Sequence, residues 1–475
     1  MNSLQNKHRT SLAWLPLVAA LVLAGCASPP PVDTQALADA PAAFKEQAPM
    51  PAGWTQALPA EAQARGQWWL AFQDPAMNAL VERAGERNTD IQQAIARLAQ
   101  ARALLRNAEA NRRPEVGLNA GAVRQAGANT INGSNPATIL TAGVGASWEV
   151  DLSGRLARAR DAASLDAVSR EALLQSTRLA VQADTASTYL SLRALDAERA
   201  LVRETADAYR DTLDLTTRRW RGGDVAELDV VRIRTEMAAT TSEALSLDRR
   251  RAELEHALAV LLGDAVADFG LPDGAWDTAL PVVPAGVPST VLARRPDVAA
   301  AQASLLAAQA RVGAAQAAWF PNLTLTGSGG YASRDLSDLF QWSARAWSLS
   351  TLLSLPIFDG GRRDAGIAQA RAQFDESTAG YRGQVLGAFR EVEDQLSGLR
   401  LLAEQAEVQD GAVTSASRAT ALSDTRWRNG LVSQLDLLDA RRTELRNRRI
   451  ALQVRSARYQ ATVGLIRALG GSWSA

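Results

Sequence analysis

One offset governs this chain: residues 207 positions apart match again and again. Asp90 and Asp297 open similar helical segments, and Pro114 and Pro321 close them. Gly154-Arg155 matches Gly361-Arg362, Arg219-Trp220-Arg221 matches Arg426-Trp427-Arg428, and Leu262-Gly263 matches Leu469-Gly470. Between Arg219 and Glu236, 8 of 18 positions are identical to those 207 later. The sequence is therefore two copies of one unit, and any fold it adopts has to be buildable twice. The copies cover residues 88–263 and 295–470, joined by a proline-rich link at 264–294 and followed by a short tail at 471–475.

Within each copy the hydrophobic period changes in a fixed order. Residues 88–112 are alanine-rich and read as a helix of about 25 residues that a proline closes. Val116, Leu118, Ala120 and Ala122 then alternate with small or polar neighbours, and alternation resumes at Leu140, Ala142, Val144, Ala146, Trp148 and Val150. That pattern predicts a hairpin of strands near 11 residues. The second copy repeats it with Leu323 and Leu325, then Trp347, Leu349, Thr351, Leu353, Leu355 and Ile357. A soluble sheet packed on a core and a transmembrane barrel wall with a wet lumen both alternate in this way. Strand length and the aromatics near strand ends (Trp148, Trp319, Phe320, Tyr331, Trp347, Phe358) favour the barrel.

Long helices follow each hairpin. From Arg155 to Trp220 there is no proline and no glycine, and apolar residues recur at helical steps, which predicts about 66 residues of helix, or ~99 Å. Gly222-Gly223 makes a turn, and a helix of about 40 residues is expected to return to Leu262.

The single cysteine, Cys26, sits where Lys7 and Arg9, an apolar run from Leu12 to Ala24 and Leu23-Ala24-Gly25-Cys26 lay out a secretory signal of residues 1–25. The apolar run is too short to span a bilayer as a helix, and no later stretch reaches 18 uncharged apolar residues. This start resembles a bacterial lipoprotein signal, which implies diacylglycerol and an N-acyl chain on Cys26 and, with Ala27 after it, an outer-membrane destination. Residues 26–87 begin with a proline- and alanine-rich tether. Lysine plus arginine equals aspartate plus glutamate at 51 each, so no basic field exists to hold nucleic acid. One cysteine and two histidines leave no disulfide, zinc site or thiol dyad, and no other cofactor or catalytic pair stands out.

Four strands per chain cannot close a membrane barrel, and an open edge cannot lie in lipid. Three copies would give twelve strands and a ring of helices. The Trp-Glu-Val-Asp-Leu-Ser-Gly-Arg run at 148–155, the Leu-Pro-Ile-Phe-Asp-Gly-Gly-Arg run at 355–362 and the Arg-Trp-Arg-Asn-Gly…Leu-Asp-Leu-Leu-Asp-Ala-Arg-Arg run at 426–442 resemble TolC-type outer-membrane efflux proteins, in particular the lipoprotein branch. The resemblance spans nearly all of the mature chain. It implies an α+β membrane protein: a homotrimer whose 12-stranded transmembrane β-barrel continues into an antiparallel α-helical barrel. The implied role is a non-enzymatic outer-membrane duct of a tripartite efflux system, with a periplasmic adaptor and an inner-membrane pump of the resistance-nodulation-division type. A type I protein secretion duct and a poreless periplasmic coiled-coil lipoprotein are the alternatives.

By the same resemblance, Leu435, Asp439 and Arg442 fall where the family places its periplasmic gate, with Asp436 beside them. The first copy has Arg232 where the second has Asp439, so an ionic bond between neighbouring helices is expected to hold the gate shut; without the resemblance these are ordinary solvated helix charges. The turns at Trp220, Gly222 and Gly223 and at Trp427 and Gly430 are implied as exposed adaptor-docking tips.

Overall fold

The computed structural model describes residues 44–46, 66–126, 136–283 and 294–471; Cys26, the signal segment and most of the tether lie outside the described residues. Helix α1 is Pro75–Arg87 and α2 Thr89–Ala110. Strands β1 (Glu115–Gln125) and β2 (Ala137–Val150) follow, then α3 (Arg155–Arg221) and α4 (Glu227–Leu261). The second copy runs α5 (Pro296–Gln316), β3 (Asn322–Ser333), β4 (Arg345–Ser354), α6 (Arg362–Arg428) and α7 (Gln434–Ala468). The ends of α3 and α6, and those of α4 and α7, each differ by 207. The sequence repeat is thus a repeat of backbone.

Three expectations shift. The returning helices have 35 residues rather than about 40, because Ala226 and Ser433 start them after the turns. The helix before the first hairpin has 22 residues, ending at Ala110 ahead of the turn that leads into Pro114. Strand β4 stops at Ser354, leaving Leu355 and Ile357 outside it, since Pro356 has no N–H to give to a ladder.

The chain forms two compact units. One comprises residues 97–171 and 300–382 and holds the four strands, in the order β1-β2-β3-β4 with every neighbour antiparallel. The ladder aligns Leu118 with Val144, Trp148 with Leu325 and Gly329 with Trp347, so one face collects the apolar residues. The other face carries its own polar contacts: Thr141 donates to the Gly121 carbonyl, and the Ser328 and Ser348 hydroxyls are 2.8 Å apart. At the joint between copies Gly143 lies opposite Gly330, where an added Cβ on Gly330 would meet the Ala142 carbonyl oxygen at 2.3 Å. Only glycine permits that approach. Both edge strands, β1 and β4, are exposed along their whole length.

The other unit contains residues 44–46, 66–96, 172–283, 294–299 and 383–471 among the described residues. Its apolar stripes mesh as helix ridges do: Leu195, Val202, Ala244 and Leu247 form one cluster with Leu445 against it, and Val392, Leu465, Ala468 and Leu469 form another with Phe44. The two copies anchor their returning helices at equivalent points by different chemistry. Asn88 gives Nδ2–H to the Leu261 carbonyl at 2.9 Å, whereas Arg295 gives Nη1–H to the Ala468 carbonyl at 3.2 Å. Arg295 also bonds Asp297 and Glu391. Burial works to raise the Asp297 carboxyl, but the Arg295 hydrogen bond and charge outweigh it and hold that group below the ordinary carboxylate range.

Candidate functional site: the hairpin turns and the gate segment

The two turns end their helices in the same way. Gly223 (φ 83°) and Gly430 (φ 71°) take the left-handed conformation that closes a helix, and the Asp224 and Leu431 N–H groups reach back to the Arg219 and Arg426 carbonyls at 2.9 Å. Beyond the backbone they diverge. Trp220 is exposed. Trp427 is buried at 7% exposure with the Arg219 guanidinium 5.9 Å from its ring centre, so the expected pair of exposed tips holds for Trp220, Gly222, Gly223 and Gly430 but not for Trp427. The returning helices start differently too. Ser433 caps α7 in a reciprocal box with Asp436, while Ala226 at the start of α4 has no side chain to offer.

Helix α7 presents two faces near the turn. Leu437 and Leu438 are buried, and Leu438 joins Tyr209 of α3 and Ile233 of α4 in a cluster with Leu213 and Met237. Gln434 and Arg441 add hydrogen bonds to Thr216 and Thr212. Those contacts fix the rotation of α7, so that Leu435, Asp439 and Arg442, spaced by four and three, share the exposed side. Asp436 is exposed as well, but its carboxylate is engaged with Ser433 at 2.7 Å and serves the cap.

The ion pair inside the chain is not the one expected. Arg232 lies 3.7 Å from Asp229 on its own helix. Arg442 is the residue that crosses between helices, giving Nε–H to Glu236 at 2.8 Å and a second bond from Nη2 to the same carboxylate. Glu236's hydrogen bond raises the Arg442 pKa further, and Asp439 adds its charge to the same effect. The residues that sequence reasoning passed over are Glu236 and, beneath the pair, Tyr209. Burial raises the Tyr209 phenol, which stays neutral and has no hydrogen-bond partner among the described residues.

A second charged cluster was also not foreseen. Arg193, Asp196, Arg199 and Arg251 are almost fully covered, and they hold the link through the Pro272 carbonyl and the Asp273 carboxylate at 2.9 and 3.1 Å. The strap so pinned continues through Trp276, whose carbonyl accepts from Arg455 at 2.9 Å. Among the described residues no helix is long and apolar enough to cross a membrane.

A family model described as outer membrane efflux protein matches residues 80–264 and again 287–471, two segments that start 207 apart and end 207 apart. The chain belongs to the outer membrane efflux protein family. Outer membrane protein OprJ of Pseudomonas aeruginosa is 32% identical over 471 residues, covering 96% of this chain and 95% of that protein. The pyoverdine export outer membrane protein OpmQ of the same organism is 31% identical over 478 residues, with 98% of each covered. Among solved structures, the outer-membrane channel OprN matches with a TM-score of 0.85 at 29% identity, covering 94% of this chain and 99% of that one. As a member of the family the chain is an outer-membrane efflux channel protein rather than an enzyme, with its strands in the outer membrane and its helices in the periplasm.

Proposed function

We propose that three copies of the chain join edge to edge into a twelve-stranded barrel, the exit duct of a tripartite efflux system. The duct carries small toxic compounds outward, with a periplasmic adaptor at the helical tips and a resistance-nodulation-division pump in the inner membrane. The observation that carries the reading is the pair of exposed edges, β1 and β4, on a four-stranded sheet with an apolar face. In hydrocarbon each unpaired backbone group costs several kcal/mol, so those edges have to find each other on neighbouring copies. The names of relatives, an antibiotic efflux pump outer membrane protein and a toluene efflux pump outer membrane protein, support small apolar cargo.

In this reading the stripe of Leu435, Asp439 and Arg442 lines the closed end of the duct, and Arg232 meets Asp439 of the neighbouring chain. Diacylglycerol and an N-acyl chain on Cys26 anchor the tether to the membrane, several acyl chains at about 0.8 kcal/mol per buried methylene making a lasting attachment. Protein purified from outer membranes should be a trimer by light scattering in detergent, and Cys26→Ala should abolish palmitate labelling. A stable membrane-inserted monomer would overturn the barrel.

A further inference from the structure

The outward rim of the sheet carries charge where the apolar face meets the membrane surface. Register and alternation place residues on that face without ambiguity. Trp347 and Leu349 stand on it with Gly329 and Gly327 as their ladder partners, and the next pair outward is Tyr331 with Arg345. On the first hairpin the ladder runs outward from Ala120–Ala142 through Ala122–Leu140 to Arg124–Thr138. Two arginines therefore end the lipid-facing side, Arg124 on one edge strand and Arg345 on the other. Both lie at the strand ends away from the helices, which the family's placement makes the outer surface.

A cation on the lipid face of a barrel costs about 2–4 kcal/mol at the midplane but about 0–1 near the interface, so these positions mark headgroup depth. The surroundings fit that depth. Arg345 stacks 3.2 Å over the Trp342 ring and gives Nε–H to the Trp342 carbonyl at 2.7 Å, which holds the fork in place. Phe340 packs edge-on against Tyr331 at 5.7 Å, and Leu336, Phe340 and Trp342 are all exposed. Arg124 spends one N–H on Thr138 at 3.2 Å. Neither guanidinium has a carboxylate within 4 Å among the described residues, so most of the five donors on each are uncommitted.

We propose that this rim binds the phosphate groups of outer-leaflet lipid. Arg345, braced on Trp342, holds one phosphate through its planar fork, and Arg124 of the adjoining chain's β1 completes the site across the seam. The inference rests on the edge-to-edge trimer proposed above. Arginine suits the task because two parallel N–H bonds match two phosphate oxygens, and aromatic residues around it settle at the same depth as the headgroup.

The full-length protein, reconstituted into phosphatidylcholine vesicles with either bisphosphorylated lipid A or its dephosphorylated form, tests this. Re-extracted wild-type protein should retain phosphorylated lipid A about tenfold better than the R124Q/R345Q variant, as expected for losing charge-assisted bonds. It should show no such preference for the dephosphorylated form. Equal retention by wild type and variant, or equal retention of both lipids, would overturn the proposal. Release of all bound lipid by millimolar inorganic phosphate would also overturn it, as the mark of a free-anion site. Crosslinking in pure phosphatidylcholine, which contains no lipid A, reads the trimer separately, so a failed barrel and a failed lipid site give different results.

Discussion

At the first turn between long helices Trp220 lies open to solvent and the returning helix begins from Ala226 without a side-chain cap; at the second, Trp427 is buried and Ser433 and Asp436 cap each other. The turns share the Arg-Trp-Arg triplet and the same backbone path, yet one is tied down and the other is not. The anchors at the far ends of the returning helices differ likewise, a neutral Asn88 in one copy and a charged Arg295 network in the other. Repetition supplies the scaffold twice, and divergence decides which copy is the stiffer. The second copy, so far, is that one.

The sharpest test of this contrast is the tryptophan pair. Trp427→Ala should destabilise the helical tip by about 3 kcal/mol and open it to trypsin at Arg426 and Arg428, while Trp220→Ala should change stability by no more than about 0.5 kcal/mol. Equal effects in urea unfolding and proteolysis would erase the asymmetry.

Next come the anchors. Arg295→Met leaves Asp297 without its cation and should cost about 2 kcal/mol, against about 1 kcal/mol for Asn88→Ala. Because the folded state lowers the Asp297 pKa, its contribution is in place above the ordinary carboxylate range and is lost as pH falls through the depressed value. The Arg295 variant should therefore flatten the acid limb of a stability–pH curve, which the Asn88 variant leaves intact.

At the proposed gate, Arg442→Ser removes the bond to Glu236 and should favour opening by about 1 kcal/mol per chain, roughly fivefold, read as channel open probability in planar bilayers. Glu236→Gln should match it, and the double variant should add little beyond the worse single one. Arg232→Ser removes the proposed bond to Asp439 of the neighbouring chain and should raise open probability comparably. A clearly smaller rise would leave Arg232 with only its own-helix partner Asp229 and overturn that bond.

The smallest effect concerns helix α6, which carries glycine at 366, 380, 383, 387, 398 and 411 where α3 has none between Arg155 and Trp220. A Cβ on Gly398 meets open space within the chain. Gly398→Ala should raise monomer helix stability by about 0.5–1 kcal/mol. Loss of the trimer instead would place another chain against that face.

Much of this was legible in the residues themselves. The long helices could be read to within a residue at their far ends because nothing between Arg155 and Trp220 breaks a helix and paired turn signals stop it. The hairpins followed from alternation, but the apolar run continues past the end of β4 at Ser354, where Pro356 cannot donate to the ladder. What could not be read was pairing across distance. Arg442 and Glu236 are 206 residues apart, and nothing in either helix alone says that their faces meet. Two identical Arg-Trp-Arg triplets gave no hint that one tryptophan is covered and has Arg219 of the other copy near its ring. The Arg193–Asp196–Arg199 cluster escaped for the same reason: its partner is an irregular link whose path has no period to follow.

The equal helix lengths, 67 residues in α3 and α6 and 35 in α4 and α7, restrict how such a gene can change. A deletion of seven residues from one helix would pull its turn about 10 Å out of line with the other. To keep both turns level, the loss has to occur in four places at once. Length is therefore inherited almost as a fixed quantity, and descendants are expected to vary in the chemistry of their turns and rims long before they vary in reach.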